Sequence, residues 1–379
     1  MDRIVENLKN LNICILTSYG HNGIDWAHSL LDNHKEILIM PAFSFFRSIE
    51  TIKRRNKKIS FKKKNCSKDI AKAFGDLFFL DPRHQTQRRN FIKNVKEKES
   101  FENYLYDWLI LSKEKNIFKN LFLGIHYAYA KLYNVDLQVK KILIHQEHVS
   151  WHSEKYEKIF NPQFIFMMRD PRASIAGSIL RMQKHNNDQI FSNQFDHVLL
   201  NWKSADQFVK NRINLTNKIY IAKNENLHKN LKYEMEKLSK WLNINFSETL
   251  LNQTFNGKEW FGESAYLQDQ NQEKDLNKYT KTNFYNPEEV TKRWKKVLDK
   301  KKTLMIEVIF NNIFYFFNYK FEYKHSFKDI VKAYLYFFTN FNYQKKYFLS
   351  KFLIIPRNIL RRLLIILNPK VGKKMTNFL

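Results

Sequence analysis

The sequence predicts an α/β fold in which a central parallel sheet is flanked by helices. Short apolar runs, typical of strands buried on both faces, alternate along the chain with segments of helical periodicity. This alternation favours parallel strands joined by right-handed crossovers, and it places the turns that follow the strands at one edge of the sheet. Four runs are predicted to be strands: Ile13–Leu16, Lys141–Ile144, Gln163–Met168 and Lys218–Ile221.

The segment Asn12–Met40 contains the first of these strands, a turn and a helix. The turn Thr17–Gly23 carries Gly20 and Gly23, which can adopt a positive φ or let another group approach the backbone closely. The unpaired N–H groups at the start of a helix and the helix dipole both favour an anion at such a turn. The turn is therefore a candidate phosphate site, although most short strand–turn–helix units bind nothing.

The composition indicates a large folded protein. The 379 residues include only 8 glycines and 7 prolines, and 33 phenylalanines supply a well-filled interior. The formal net charge of +28 reflects a coding bias, a need to bind anions, or both, so charge alone does not indicate nucleic-acid binding. The dense basic run Lys53–Lys68 is either a solvated surface or a contact with an anionic substrate or lipid.

The sequence has the features of a cytoplasmic protein. Cys14 and Cys66 show no CxxC or Cys/His ligand spacing, which argues for a reducing compartment. The segment Met1–Asn12 carries acidic residues and lacks the apolar core of a signal peptide. No uncharged apolar run approaches the roughly 18 residues that a transmembrane helix needs. We therefore expect the protein in the cytoplasm.

Four motifs in chain order resemble those of the PAPS-dependent sulfotransferases, a family with a P-loop-like α/β fold. The run His28–His34, followed by Glu36-Ile37, is similar to the continuation of the family's first motif. Phe164–Ser178 is similar to its second motif, a strand that ends in Arg-Asp-Pro-Arg before a helix. Asn256–Ser264 resembles the Asn-Gly-x-x-Trp-x-Gly-Asn-Ser loop of bacterial members, and Arg293-Trp294 resembles their C-terminal Arg-Trp helix. The resemblance implies transfer of a sulfuryl group from 3′-phosphoadenosine 5′-phosphosulfate (PAPS).

The resemblance also implies roles for particular residues in PAPS binding. The Arg169 guanidinium would bind the 3′-phosphate bidentately, the alternatives being a structural pairing with Asp170 or the capping of a neighbouring turn. The family's partner serine falls eight residues after this arginine, at Gly177, so the neighbouring Ser178 is named instead. The other residues assigned to the nucleotide lie in the first turn and the two C-terminal motifs: Gly20, Asn22, Gly23, Ile24, Asp25, Asn256, Gly257, Trp260 and Arg293.

The phosphosulfate loop departs from the family's Arg/Lys-Ser-Gly-Thr-Thr pattern. When Gly23 is aligned with the motif glycine, His21 occupies the position of the cation that stabilises the transferring group, and Asp25 replaces the second threonine. A neutral histidine donates only one hydrogen bond. A carboxylate beside a phosphosulfate is repulsive unless it points elsewhere, for example to cap the helix. The altered loop, with His21 as its catalytic side chain, therefore predicts the same fold with a reduced rate, or none.

The end of the strand Lys141–Ile144 supplies candidates for the base that removes the proton of the acceptor hydroxyl. A histidine or carboxylate at this end of a strand would lie beside the cofactor. His148 and Glu147 are the leading candidates, followed by His145. The His-x-x-His spacing also suits a metal, but two loop histidines without a third ligand rarely form a site, so no metal is expected.

The composition changes near residue 323, so we expect a sulfotransferase-like domain at 1–322 and a basic helical C-terminal arm at 323–379. Within the domain, 45–138 is expected to form a helical section on the acceptor side. From residue 324 onward, Asp329 is the only acid among a dozen lysines and arginines interleaved with aromatic and aliphatic residues. This pattern is typical of a helix on an anionic membrane surface, here the inner membrane face, or of an extension docked on protein. Nucleic acid is the weakest interpretation, because the aromatic residues cluster with aliphatic ones.

The sequence thus predicts a sulfotransferase that transfers a sulfuryl group from PAPS to a hydroxyl of a glycan or lipid-linked acceptor. The alternative, motivated by His21, is a degenerate relative that binds a nucleotide or glycan without catalysis. A nucleotide kinase is disfavoured because the chain lacks G-x-x-x-x-G-K-[ST]. No motif in 41–135 identifies the acceptor.

Overall fold

The computed structural model of the chain confirms the predicted α/β fold. It describes residues 2–57, 59–61, 66–79, 91–112, 114–148, 152–183, 207–212, 217–259 and 287–339, together with 203, 359, 360, 362, 363 and 367. Five parallel strands form one sheet in the order β2-β3-β1-β4-β5. Their bounds are β1 Asn12–Ser18, β2 Ile37–Ile39, β3 Ile142–Glu147, β4 Gln163–Met168 and β5 Ile219–Lys223.

Helices cover both faces of this sheet. The helices before β5 are α1 Asp2–Asn10, α2 Ile24–Leu31, α3 Phe45–Arg55, α4 Ser67–Phe78, α5 Val95–Leu111, α6 Ile117–Leu132, α7 Ser153–Phe160 and α8 Pro171–Gln183. Those after it are α9 Asn224–Lys229, α10 Leu231–Leu242, α11 Pro287–Lys292, α12 Lys300–Ile309, α13 Asn311–Phe316 and α14 Phe327–Thr339. Short 3₁₀ helices lie at Glu248–Leu251 and Arg293–Lys296, and a two-stranded antiparallel pair joins β6 Thr254–Phe255 to β7 Lys258–Glu259.

Apolar periodicity predicts α5 and α6 of the helical section, whereas α4 was not predicted. It predicts a helix over Phe101–Leu111, and the structure begins that helix at Val95. The extra turn forms because the Asn94 side chain accepts the Glu97 N–H at 2.8 Å, a polar cap outside the apolar pattern. The sequence did not predict β2, whose three residues are too few to show a period. A helix predicted at His197–Asn211 lies largely outside the described residues.

The sheet separates two cores, because successive strand residues face opposite sides. On one side, Leu16 and Met167 pack with residues of α2, α9 and α10. We call this side the loop face, since α2 follows the glycine turn. On the other side, Ile15 and Phe166 pack with residues of α3 to α8 and α12. We call it the helical-section face.

The parallel register brings the ends of the strands together at one edge. Thr17 of β1 pairs with Glu147 of β3, and Ser18 pairs with Met167 of β4. The turns that follow β1, β3 and β4 therefore begin side by side, as the sequence predicts. Open α/β sheets bind their ligands at this carboxyl edge.

The C-terminal helices pack onto the helical-section face. α14 contacts α12 through Ala333, which clusters with Leu304 and Val308. The division of the chain at 322/323 remains a prediction. In the part of the chain that the structure describes, no helix has both the length and the apolar character needed to cross a bilayer.

Candidate functional site

The turn Tyr19–Gly23, which we call the loop, lies at the carboxyl edge of the sheet, between β1 and α2. Gly20, His21 and Gly23 have positive φ values of 103°, 49° and 83°. α2 begins directly after the loop, and its N-terminus has no side-chain cap. The first N–H groups of a helix lack partners within the helix. The loop and the positive end of the α2 dipole therefore favour an anion at this position.

Buried hydrogen bonds fix the loop against β4 and α8. The side-chain amide of Asn22 donates to the Met167 carbonyl oxygen. The Ser174 hydroxyl donates to the Gly20 carbonyl oxygen over 2.7 Å. Ser178, predicted to bind the nucleotide, is buried and donates to the Ser174 carbonyl oxygen at 3.2 Å within its own helix. Ser174, which the sequence interpretation did not select, is thus the α8 serine in contact with the loop.

Arg169 lies beside the loop with one N–H group unpaired. Its Nη1 donates to the His21 carbonyl oxygen over 3.3 Å, and its Nη2 donates to the Val290 carbonyl oxygen over 3.4 Å. Its Nε is buried and has no hydrogen-bond partner among the described residues. The Arg169 backbone N–H donates to the Tyr19 hydroxyl oxygen over 2.7 Å, which ties the arginine to the loop. An unpaired buried donor is costly, so this guanidinium is suited to a bidentate anion.

Arg172, the second arginine of the same motif, is fully engaged by the fold. Its Nε donates to Asp170 Oδ1 over 3.0 Å, and its Nη1 donates to Glu307 Oε1 over 2.6 Å. Its guanidinium carbon lies 4.5 Å from the centroid of the Trp294 ring. Of these two arginines, Arg169 is therefore the one that keeps a donor for a ligand. The alternative pairing of Arg169 with Asp170 does not form, because Asp170 pairs with Arg172.

Arg293 lies near the first turn of α2. His228 stacks on Trp26 of that turn, with their ring centroids 4.1 Å apart. Burial, followed by the charges of Arg169 and Arg293, lowers the pKa of His228 to about 3. Two arginines thus raise the positive potential around the start of α2.

Asn224, which the sequence interpretation missed, closes the loop from the β5 side. A Cβ added at Gly23 would overlap Asn224 Nδ2, so this position requires glycine for both space and φ. Asn224 is buried, and its Oδ1 has no hydrogen-bond partner within the described ranges. The same is true of Asn22 Oδ1. With Arg169 Nε, these two oxygens leave one donor and two acceptors unsatisfied among the described residues around the loop.

Gln146, at the end of β3, links Asp25 to His148 on the loop face. Its Nε2 donates to Asp25 Oδ1 over 2.8 Å and lies 2.9 Å from His148 Nε2. Asp25 Oδ1 and His148 Nε2 are 3.6 Å apart, and these two side chains are 23% and 32% exposed. The Asp25 carboxylate is therefore directed toward β3. The carboxylate thus points elsewhere than into the loop, as it must if a phosphosulfate is to bind there without repulsion.

Glu147 faces the helical-section side and is completely buried. It accepts the Tyr156 hydroxyl over 3.0 Å and lies 3.3 Å from His152 Nδ1. The Tyr156 hydroxyl is also 3.0 Å from His145 Nε2, and burial holds the pKa of His145 well below its ordinary value. Among the three predicted base candidates, His148 is thus the one on the loop face. Within the described residues, no group of three or more His, Cys, Asp or Glu side chains could hold a metal ion.

The Asn256–Gly257 turn contacts the far end of α2. The Gly257 N–H donates to Asp32 Oδ2 over 2.9 Å, and the Tyr129 hydroxyl donates to Asn256 Oδ1 over 2.5 Å. Asp32 is the C-cap of α2, a helix of 8 residues and therefore about 12 Å long. The contacts of Asn256 and Gly257 thus place them away from the loop. Trp260 lies outside the described residues.

The chain is structurally similar to sulfotransferase domains. One is the sulfotransferase domain from the curacin biosynthetic pathway, with a TM-score of 0.44 and 14% identity over 76% of this chain and 92% of that chain. Another is the sulfotransferase domain from the Synechococcus PCC 7002 olefin synthase, with a TM-score of 0.45 and 14% identity over 86% of this chain and 95% of that chain. No family model matches the sequence, and no curated protein matches it. A similarity at this level concerns the fold and carries no inference about donor or acceptor.

Proposed function

We propose that this chain is a sulfotransferase that transfers the sulfuryl group of PAPS to a hydroxyl of a glycan or lipid-linked acceptor. The observation that carries the proposal is Arg169, which lies against the loop with a buried Nε that has no partner among the described residues. The ordered sequence motifs support PAPS as the donor. The position of the loop supports the same assignment, since ligands of such sheets bind at the carboxyl edge.

The residues around the loop would bind the donor through charge and hydrogen bonds. Bound PAPS supplies an activated sulfuryl group on a phosphate leaving group. Loop N–H groups and the α2 dipole would stabilise negative charge on that phosphate. Arg169 would meet the 3′-phosphate, with Arg293 adding positive potential. The unpaired oxygens of Asn22 and Asn224 would accept hydroxyl or amino hydrogens.

We assign the base to His148. Its ring is partly exposed on the loop face, so it could remove the proton of an acceptor hydroxyl. The imidazolium that results would be stabilised by Asp25, and the buried amide of Gln146 would position both groups. Glu147 has no exposed surface and is assigned a structural role.

Calorimetric titration with adenosine 3′,5′-bisphosphate tests the donor site. We expect Arg169→Ala to weaken binding by about 100-fold, because loss of one partner of a buried charge pair commonly costs about 2–5 kcal/mol. Arg47→Ala, at an exposed arginine of α3, is the control and should leave binding unchanged. Adenosine 5′-monophosphate, which lacks the 3′-phosphate, should bind both variants alike. Unchanged bisphosphate binding in folded Arg169→Ala rejects the assignment.

A second candidate function is a degenerate relative that binds nucleotide without catalysis. It is favoured by His21, which stands where the resemblance calls for arginine or lysine and whose carbonyl oxygen accepts from Arg169. Release of adenosine 3′,5′-bisphosphate from PAPS by the wild type and by His21→Arg, measured with varied hydroxyl acceptors present, separates the two functions. Bisphosphate binding with no turnover in either protein, across varied acceptors, favours the binding protein.

The thiols are consistent with the cytoplasmic, reducing setting that we also propose. Cys14 is a free thiol. Cys14 is buried in β1, where burial raises the pKa of its thiol and keeps it protonated. The protein would keep both thiols reduced in that compartment.

A further inference from the structure

α14 carries an exposed apolar stripe in addition to its buried side. Phe327, Val331 and Leu335 are 82%, 41% and 58% exposed. Residues four apart lie on one side of a helix, so these three form a continuous row, which we call the α14 stripe. Ala333 and Phe337 are buried on a different side of the same helix. α14 therefore presents apolar side chains both to the protein and to solvent.

A second exposed apolar row lies near the C-terminus. Leu360, Leu363 and Leu367 are helical and exposed, and we call them the leucine row. Arg362, between them, is buried, with its guanidinium carbon 5.1 Å from the centroid of the Phe337 ring and its Nη1 donating to the Phe337 carbonyl oxygen. This arrangement inverts the usual preference, because the charged residue packs inward and the leucines face out.

Positive charge borders the α14 stripe. Lys328 and Lys332 are exposed and directly follow the first two residues of the stripe. Asp329, the only acid from residue 324 onward, is engaged as a helix cap, since its carboxylate accepts the Ser326 hydroxyl over 2.6 Å. Two copies of so basic a region would repel each other. An anionic lipid surface, by contrast, matches both the apolar rows and the charge.

We infer that the α14 stripe and the leucine row form a docking face for an anionic lipid bilayer. The apolar side chains enter the boundary between headgroups and acyl chains, and the lysines lie among the phosphates. This inference does not depend on the sulfotransferase reaction. If both hold, docking keeps the protein, with the candidate site at the carboxyl edge of its sheet, at the membrane surface where lipid-linked hydroxyls are found.

Co-sedimentation of the full chain with vesicles tests the apolar part of the face. We expect binding to vesicles of equal phosphatidylglycerol and phosphatidylcholine, and about tenfold weaker binding to phosphatidylcholine alone. The stripe variant, Phe327→Ser/Val331→Ser/Leu335→Ser, should bind the anionic vesicles at least about tenfold more weakly. A matched control on α5 removes similarly exposed apolar side chains elsewhere and should bind as the wild type does: Val95→Ser/Ile110→Ser/Leu111→Ser.

A charge variant tests the electrostatic part. Lys328→Glu/Lys332→Glu should weaken binding to the anionic vesicles at least about tenfold, because each lysine near such a surface contributes roughly a fivefold factor. The control is Lys237→Glu/Lys240→Glu on α10, an exposed pair on one side of that helix with the same change of charge. Circular dichroism confirms that each variant is folded.

Three results would overturn the inference. The first is a wild-type chain that does not bind the anionic vesicles. The second is equal binding by the stripe variant and the α5 control, or by the two lysine variants. The third is a dimer in analytical ultracentrifugation that the stripe variant abolishes while vesicle binding is absent, which would assign the face to a second copy of the chain.

Discussion

The two arginines that follow β4 use their charge in opposite ways at the same edge of the sheet. On the helical-section face, Arg172 pairs with Asp170 and Glu307. Around the loop, the buried Nε of Arg169 has no partner within the described ranges. A polar residue at the carboxyl edge is therefore not by itself a ligand-binding residue. Its partners decide whether it serves the fold or a ligand.

The largest expected effect is on the helical-section face. Arg172→Ala should lower the free energy of unfolding by about 3–5 kcal/mol, because it leaves the buried Asp170 carboxylate without its cation. It also leaves Glu307 with only His325 and the Glu322 N–H as partners among the described residues. Urea denaturation measures the loss, with Arg47→Ala as the exposed control. If Arg169→Ala destabilises the protein as much as Arg172→Ala does, the claim that Arg172 serves the fold and Arg169 serves a ligand is wrong.

A second prediction compares two glycines of the loop. Gly23→Ala combines a positive φ of 83° with an overlap against the Asn224 amide, whereas Gly20→Ala has a φ of 103° and nothing within 4 Å of the new Cβ. We expect Gly20→Ala to cost about 1–2 kcal/mol through backbone strain alone, and Gly23→Ala to cost more. Urea denaturation of both variants checks the difference. Equal losses would show that Asn224 does not close tightly on the loop.

The pH dependence of stability has a source on each face. Burial lowers the pKa of His126 on the helical-section face, and of His28 on α2, to about 4. Since both pKa values lie below the ordinary value of about 6.5, the unfolded protein binds a proton at each histidine at a higher pH than the folded protein does. The contribution of these two neutral histidines to the free energy of unfolding is therefore fully present above pH about 6.5. That free energy should fall by about 1.4 kcal/mol per pH unit for each histidine as the pH decreases toward about 4.

His126→Phe isolates one of these contributions. The phenyl ring keeps the packing against Phe122 and cannot titrate. Unfolding free energies measured between about pH 7 and 4 should then depend on pH less steeply than in the wild type, by the slope of one proton. An unchanged slope would contradict the buried, neutral state of His126.

The smallest expected effect concerns the base. Asp25→Asn should lower the rate of bisphosphate release from PAPS in the presence of an acceptor by about tenfold and leave bisphosphate binding within about twofold, because Asp25 acts through His148. Glu147→Gln, on the opposite face, is the matched comparison and should retain turnover. The reverse result, turnover lost in Glu147→Gln and kept in Asp25→Asn, would move the base to the helical-section face.

Local patterns predicted the elements of this fold but not their polar partners. The apolar runs predicted β1, β3, β4 and β5 because a strand buried on both faces is apolar at every position. The motif Arg-Asp-Pro-Arg located the turn after β4. The resemblance assigned Arg169 to the phosphate, but the motif could not show that Arg172 is held by the fold, because the partners of Arg172 include Glu307, which is 135 residues away in the sequence.

The sequence by itself determined four of the five strands, the loop and the basic character of the C-terminal arm, since these follow from periodicity, glycine position and composition. Only the tertiary structure decided that Gln146 joins Asp25 to His148. It also decided that Asn224 closes on Gly23. The physical reason is that a local pattern determines how a segment folds, whereas the partner of a polar atom depends on which distant segments the crossovers bring beside it.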